Sequence, residues 1–364
     1  MITTDDIIHR FFEWQPQAKI ASILPLTPDS SMRRYFRISL SVQIKAIKSN
    51  TVVAMVFDSL TQPESGGPTV EPNVSCVQLG RLFTKMGYPV AEIYFGEEKD
   101  LIFFIEDIGT RHLIDLLIDQ QRRLVKGDKR AILKYYKEGI ECISRLHAIP
   151  EQKEFFPFQR CFTQSSYDGE LNEVVEFYLR PFNNDGGLES ALREGFSLIV
   201  SELMTFTLAL AHRDYHSWNL MIDNNDRVRI IDYQDALLAP RTYDLVPLLN
   251  DRDTNLYLGD EIYYELFDYA FGLHNKSYEF VNEYTHVLLQ RDLKIVGRFN
   301  KLAKVRGLNN YLKWVPGALF TIGRLLSFMI DEQGRKEYKD LLSILRRLSS
   351  ETDEGSKKML RLLR

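Results

Sequence analysis

Ala211-His-Arg-Asp-Tyr-His-Ser-Trp-Asn219, followed by Ile230-Ile-Asp-Tyr-Gln-Asp-Ala236, carries the most specific pattern in the chain. Between the two lie Asn219-Leu-Met-Ile222 and Val228-Arg-Ile-Ile231, short apolar runs flanking Asp223-Asn-Asn-Asp226. That tetrapeptide is a hairpin turn signal. The spacing therefore predicts a loop, two short strands and a second carboxylate returned to the loop. Asn219 follows Asp214 by five residues and precedes Asp232 by thirteen. Transfer of a phosphoryl group from a magnesium nucleotide needs few protein groups. One carboxylate orients the attacking hydroxyl, and oxygen ligands hold the metal across the phosphates. Asp214 is the candidate catalytic base, and Asn219 and Asp232 are the candidate Mg²⁺ ligands. The triplet His212-Arg213-Asp214 alone is weak; the full spacing is specific. His212 and His216 read as structural hydrogen-bonding residues. Asp235 reads equally well as an assistant to metal or substrate and as a solvated turn carboxylate.

Upstream, the first hundred residues read mainly as strands, with Arg34–Leu40 and Thr51–Phe57 the clearest. Thr61–Pro72 is rich in Pro, Gly and Ser and reads as a loop. Val74–Met86 has helical spacing and ends at Gly87. Leu101–Ile105 is a short buried-type strand that stops at Glu106-Asp-Ile-Gly-Thr110, a segment with the character of a connection between lobes. Beyond it, 130–147, 170–180, 261–273, 283–304 and 318–330 show helical periodicity. The expected architecture is α+β: a small β-rich N-lobe over 1–105 and a larger, mostly helical C-lobe over 106–364.

The chain has 364 residues, 45% of them hydrophobic and 26% charged, as in an ordinary globular protein. Cys76, Cys142 and Cys161 have neither disulfide-framework nor zinc spacing. The N-terminus is acidic where a signal peptide is basic, and no apolar run is long enough to span a membrane. These features lead to the expectation of a cytoplasmic protein with no membrane, nucleic-acid or obligate protein partner. The net charge of −4 is unevenly spread, with 17 Lys and Arg against 8 Asp and Glu from residue 285 onward. Such an excess can mark an anionic ligand, although a solvated helical surface gives the same count. Arg291, Lys294, Arg298 and Lys301 fall on one helical stripe, with Leu289, Leu293, Val296 and Phe299 opposite.

The catalytic segment resembles that of the aminoglycoside phosphotransferase superfamily, whose fold is protein-kinase-like and bilobal. Within it the chain is most similar to bacterial anomeric kinases of N-acetylmuramate and N-acetylglucosamine. The likeness also rests on Ser31-Met-Arg-Arg-Tyr-Phe-Arg37, Phe57-Asp-Ser59, Ile105–Arg111, Tyr167–Leu171 and Glu176-Phe-Tyr178. Later segments that carry it are Ile231–Ala236, Pro240–Val246 and Gln290–Gly297. The resemblance implies ATP and Mg²⁺ as cofactors, with adenine against Glu106 to Ile108. It also implies a turn over the phosphates at Ser30–Arg37, where Arg33 and Arg34 offer guanidinium forks. Adjacent strand residues point to opposite faces, so one of the two is expected to reach the phosphates. Asp244 is expected to brace the catalytic loop.

The strand at 51–57 lacks the lysine of protein kinases. There is no G-x-G-x-x-G before it and no Ala-Pro-Glu after Asp232. These absences argue against a protein kinase. The reading is transfer of a γ-phosphate to a sugar hydroxyl, that of N-acetylmuramate or N-acetylglucosamine, a small-molecule substrate. The alternatives are an aminoglycoside or other small-alcohol kinase and a nucleotide-binding pseudokinase.

Overall fold

Thr51-Val-Val-Ala-Met-Val-Phe57 carries no polar residue after its first position, the signature of a strand covered on both faces. In the computed structural model it is the central strand of a five-stranded antiparallel sheet. The structure describes residues 2–26, 33–57, 72–97, 99–122, 129–153, 155–181 and 186–352. The turn at 30–32, Asp58, Ser59 and the loop at 61–71 lie outside the described residues.

In chain order the elements are α1 (Thr4–Trp14), β1 (Ile20–Pro25), β2 (Arg33–Leu40), β3 (Thr51–Phe57), α2 (Pro72–Lys85), β4 (Ile93–Phe95) and β5 (Ile102–Glu106). Next come β6 (Arg111–His112), α3 (Leu113–Arg122), α4 (Lys129–His147), α5 (Gln164–Glu173) and α6 (Gly186–Leu203). The catalytic segment spans β7 (Leu208–Ala211), β8 (Leu220–Ile222), β9 (Val228–Ile230) and β10 (Leu237–Pro240). The remainder is helical: α7 (Leu245–Asn250), α8 (Arg252–Tyr257), α9 (Asp260–Leu273), α10 (Tyr278–Arg306), α11 (Val315–Asp331) and α12 (Lys339–Thr352). Two compact units result. One comprises Met1–Cys161, Leu210–Leu238 and Pro247–Tyr269; the other comprises Phe162–Ala209, Ala239–Val246 and Ala270–Arg364.

In the first unit the sheet runs β1-β2-β3-β5-β4. Register places Phe36 opposite Ala54 and Ala54 opposite Phe104, a small residue between two large ones. That row, with Ile38, Val52 and Val56, forms the core beneath α1, which contributes Ile7 and Phe11. Phe11 meets the Phe104 ring edge-on at 5.0 Å between centroids. Val53, Met55 and Phe57 alternate to the other face and are equally buried, as β3 requires. The N-terminus of α1 is fixed by a capping box: Thr3 Oγ1 accepts from the Asp6 N–H at 3.2 Å, and Asp6 Oδ2 accepts from the Thr3 N–H at 2.7 Å.

The second unit is built around α10, capped by Ser277 and stopped by Gly307 at φ 70°. The predicted helix over 170–180 is a short α5 that passes into a π-helical turn over Val174–Leu179. This turn packs against α10 where Gly297 leaves room. A Cβ there would stand 2.6 Å from the Val174 nitrogen and 2.8 Å from the Glu173 carbonyl carbon, both backbone atoms. Gly297→Ala is therefore expected to destabilise the protein by about 2 kcal/mol, read as a lower urea midpoint with unchanged slope. A midpoint equal to the parent would remove this account of the contact. Among the described residues no helix is long and apolar enough to cross a membrane.

Candidate active site

The loop between β7 and β8 alternates between anchored and exposed positions. His212, Tyr215, Ser217 and Asn219 are buried, whereas Asp214 and Trp218 are exposed. Each buried residue has a fixed partner. His212 Nε2 lies 2.8 Å from the Ile231 carbonyl oxygen. The Tyr215 hydroxyl donates to the Gly139 carbonyl at 2.8 Å, and Ser217 Oγ is 3.2 Å from Thr254 Oγ1. Asn219 Nδ2 donates to the Asp214 carbonyl at 2.9 Å, and the Ile231 N–H donates to the Asn219 carbonyl at 3.1 Å. Asp214, Asn219 and the residue before Asp232 thus form one hydrogen-bonded chain. The hairpin supplies the second half, with Leu220 opposite Ile230 and Ile222 opposite Val228. Asp223 Oδ1 closes its turn by accepting from the N–H groups of Asn225 and Arg227.

Two residues here hold left-handed backbone without being glycine: Arg213 at φ 82° and Asp232 at φ 65°. Such conformations cost free energy and persist where surrounding structure enforces them, often at functional sites. At Arg213 the turn sends His212 inward and leaves Asp214 exposed. Among the described residues the Asp214 carboxylate has no hydrogen-bond donor against it, so it is open to an incoming hydroxyl.

The two arginines of β2 divide by strand alternation. Arg34 shares the face of Phe36 and the α1 core. Its Nη2 donates to the Ile2 carbonyl at 2.7 Å and its guanidinium stands over the Phe36 ring. The structure does not bring Arg34 to Asp232. Arg33 takes the other face, where it pairs with Asp232 and donates to Gln234 Oε1 at 2.9 Å. Burial pushes the Asp232 carboxyl up, but the Arg33 charge together with hydrogen bonds from Gln234 and Arg33 outweighs it, and the group is held below the usual carboxylate range. Arg37, four residues further along the strand on the Arg33 side, grips Asp107 bidentately at 2.6 and 2.8 Å.

Glu106, at the end of β5, is engaged by the protein itself. Its carboxylate is filled by protein donors: Arg229 Nη1 to Oε1 at 3.1 Å and Arg229 Nη2 to Oε2 at 2.7 Å. Lys48 Nζ and the Glu92 N–H add to Oε2, each at 3.2 Å. Four protein donors hold the side chain, which acts as a brace. Burial raises its pKa and Arg229 lowers it further, for a net downward shift. Ile108 is placed differently. It is buried with Ala91 and Met221, with Ile105 and Ile231 packed beside them. One member of this small apolar cluster, Ile231, immediately precedes Asp232, and the cluster is of a kind suited to a flat heterocycle.

Asn219 and Asp232 make a hard-oxygen pair, one amide and one carboxylate. Magnesium binds through one or two such groups and completes its shell with phosphate and water. The Asn219 amide nitrogen is committed to the Asp214 carbonyl, which fixes the rotation of its oxygen. Arg33 on Asp232 is the cation that would give way as a metal and phosphates arrive. The residues fit the ion; among the described residues no cluster of three His, Cys, Asp or Glu offers another metal site.

In the second unit, the basic stripe of α10 is neither open nor simply solvated. Lys294 pairs with Glu170 at 2.6 Å, while Arg298 and Lys301 pair with Glu173 at 2.8 and 2.9 Å. Glu170 and Glu173 stand one turn apart on α5, so they meet successive turns of α10. The opposite face, Leu289, Leu293, Val296 and Phe299, is buried as its periodicity requires.

The sequence model of the phosphotransferase enzyme family matches residues 78–273, a span that contains Asp214, Asn219 and Asp232. An N-acetylmuramate/N-acetylglucosamine kinase of Neisseria meningitidis serogroup B is 26% identical over 312 residues, 82% of this chain and 83% of that protein. A protein of the same name from Pseudomonas aeruginosa is 22% identical over 314 residues, 81% of each chain. In three dimensions an ADP-bound aminoglycoside phosphotransferase superposes with a TM-score of 0.60 at 15% identity, over 89% of this chain and 99% of that one. The fold is thus kinase-like α+β, a small antiparallel sheet with a mostly helical remainder. The chain belongs to the phosphotransferase enzyme family.

Proposed function

We propose that this phosphotransferase moves the γ-phosphoryl group of magnesium ATP to a sugar hydroxyl, the anomeric hydroxyl of N-acetylmuramate or N-acetylglucosamine. The observation that carries the reading is the hydrogen-bonded chain from Asp214 through Asn219 to Ile231 and Asp232. It holds an exposed carboxylate and two oxygen ligands in the order phosphoryl transfer needs. Both relatives described above are named as kinases of these two sugars, which supports the acceptor.

In this reading Asp214 accepts or orients the proton of the attacking hydroxyl. Asn219 and Asp232 hold Mg²⁺, which when bound neutralises charge on the phosphates. Arg33, freed from Asp232, turns to a phosphate oxygen and takes over part of the role of the lysine that β3 lacks. Adenine rests on the apolar cluster around Ile108. Most of the acceleration comes from positioning and charge neutralisation, because a loose transition state asks little of the base. A separate small lobe ending at residue 105 belongs to the same proposal.

The deciding experiment is coupled ATP turnover with Mg²⁺ against N-acetylmuramate, N-acetylglucosamine, glucose, kanamycin and choline. Turnover confined to the two acetylated amino sugars is the expected result. Turnover with kanamycin or choline instead would replace the acceptor. ATP binding with silence across the panel would replace the enzyme with a nucleotide-binding protein.

A further inference from the structure

The α10 stripe is engaged by the two carboxylates of α5, and the cation of interest lies in the first unit. Arg160 is half-buried, and among the described residues its guanidinium has no hydrogen-bond acceptor. It stands against the Phe156 ring, 5.4 Å from Cζ to the centroid. A guanidinium cannot shed its proton to escape such a site, so partial burial without an acceptor is a standing cost. The cost is visible in its titration: burial lowers the Arg160 pKa, the Arg213 charge lowers it further, and Asp235 only partly opposes them. Its backbone is firmly set. The Arg160 carbonyl accepts from the Leu238 N–H at 2.8 Å, and Cys161 bridges to Leu238 as a short parallel contact.

Arg213, next to the candidate base and held at φ 82°, reaches the same place. Its Nη1 lies 3.8 Å from Asp235 Oδ1, a loose pairing. Arg213 pairs with Asp235, and the charge of that carboxylate is also felt by Arg160. Among the described residues the planar Arg160 fork keeps its donors without an acceptor.

We infer that Arg160 is a specificity-determining residue, taking the carboxylate of an acidic acceptor beside Asp214. The inference rests on the sugar-kinase reading above and adds what separates its two candidate acceptors. N-acetylmuramate carries a carboxylate and N-acetylglucosamine does not, so one fork can discriminate them. The pairing is charge-assisted and bidentate, the geometry arginine is suited to. Arg213 contributes field rather than contact, and Asp235 keeps the site from retaining inorganic anions too firmly.

The test is kcat/KM for both sugars in the parent, Arg160→Gln and Arg160→Lys. The ratio of acidic to neutral sugar should fall about 30-fold in Arg160→Gln, chiefly through KM for N-acetylmuramate. Arg160→Lys, which keeps the charge and loses the fork, should recover part of that ratio. Turnover of the neutral sugar shows that each variant is folded. An unchanged ratio, or equal losses on both sugars, overturns the role of Arg160 and leaves the sugar-kinase reading standing. If the parent itself turns over neither sugar, that reading fails, and the inference built on it fails with it.

Discussion

Asp214→Ala is expected to lower turnover about 1,000-fold, the usual worth of a positioned general base, while the affinity for magnesium ATP stays within about twofold of the parent. Asp214 contributes its carbonyl, not its carboxylate, to the loop. The Asn219 amide donates to that carbonyl, and alanine retains it. The carboxylate itself is exposed and has no hydrogen-bond donor against it among the described residues. Removing an exposed group of that kind changes stability by less than about 0.5 kcal/mol. Binding and fold should therefore survive as turnover is lost. Coupled-assay kcat, nucleotide titration and a thermal melt together check the three parts. Residual kcat above about a tenth of the parent would mean that the hydroxyl loses its proton elsewhere, and Asp214 would lose its role.

The catalytic segment was legible because its chemistry forces a spacing. A loop that presents a carboxylate and then turns back through a hairpin needs Asn219, a turn at Asp223–Asp226 and Asp232 in that order. β3 was legible because burial on both faces leaves no polar residue to confuse the period. Elsewhere the signal was carried by contacts that a single sequence does not display. Arg33 and Arg34 are equivalent as letters. The strand face decides between them, and the face is set by Phe36 packing beneath α1. The stripe on α10 read as a solvated face or an anion platform because its partners, Glu170 and Glu173, lie far off in sequence on α5, Glu173 standing 128 positions before Lys301. The capping box of α1 lies in Thr3-Thr-Asp-Asp6, acids that a reading of the N-terminus for a targeting signal does not assign to a helix. The π-helical turn at 174–179 has no sequence signature of its own and is fitted to Gly297 by packing. Glu106 enters the nucleotide reading because the resemblance sets adenine against the segment from Glu106 to Ile108. The clue to its actual use was Arg229, a lone charge inside the apolar run Val228-Arg-Ile-Ile231, which must find a partner if that strand is buried.

That arginine carries the largest stability effect expected in the molecule. Arg229 donates to both oxygens of Glu106, to Asp223 Oδ2 at 3.2 Å and to the Val90 carbonyl at 2.6 Å. It thereby ties the end of β5 to the hairpin that carries Asp232. Glu106 and Asp223 side chains are 10% and 8% exposed, so Arg229→Met strands two carboxylates away from water. Breaking a buried pair from one side costs about 3 kcal/mol; Lys48, still beside Glu106, keeps the loss from running higher. The pH dependence has a definite sign. In the parent the Glu106 pKa lies below its ordinary 4.5, so its contribution is present above that pH and is lost as pH falls through the lowered value. In the variant, burial without Arg229 raises the same group, which then takes up a proton in mild acid. The stability gap should be widest near neutrality and narrow steadily toward pH 4, as urea unfolding at a series of pH values would reveal. Adding Glu106→Gln to Arg229→Met should restore part of the loss, because one stranded charge is gone. The same pair of variants separates a brace from a ligand. If Glu106 held the nucleotide directly, Glu106→Gln alone would raise KM for ATP with stability intact. A brace gives the reverse order, with stability falling first and KM rising only as Asp232 loses its setting.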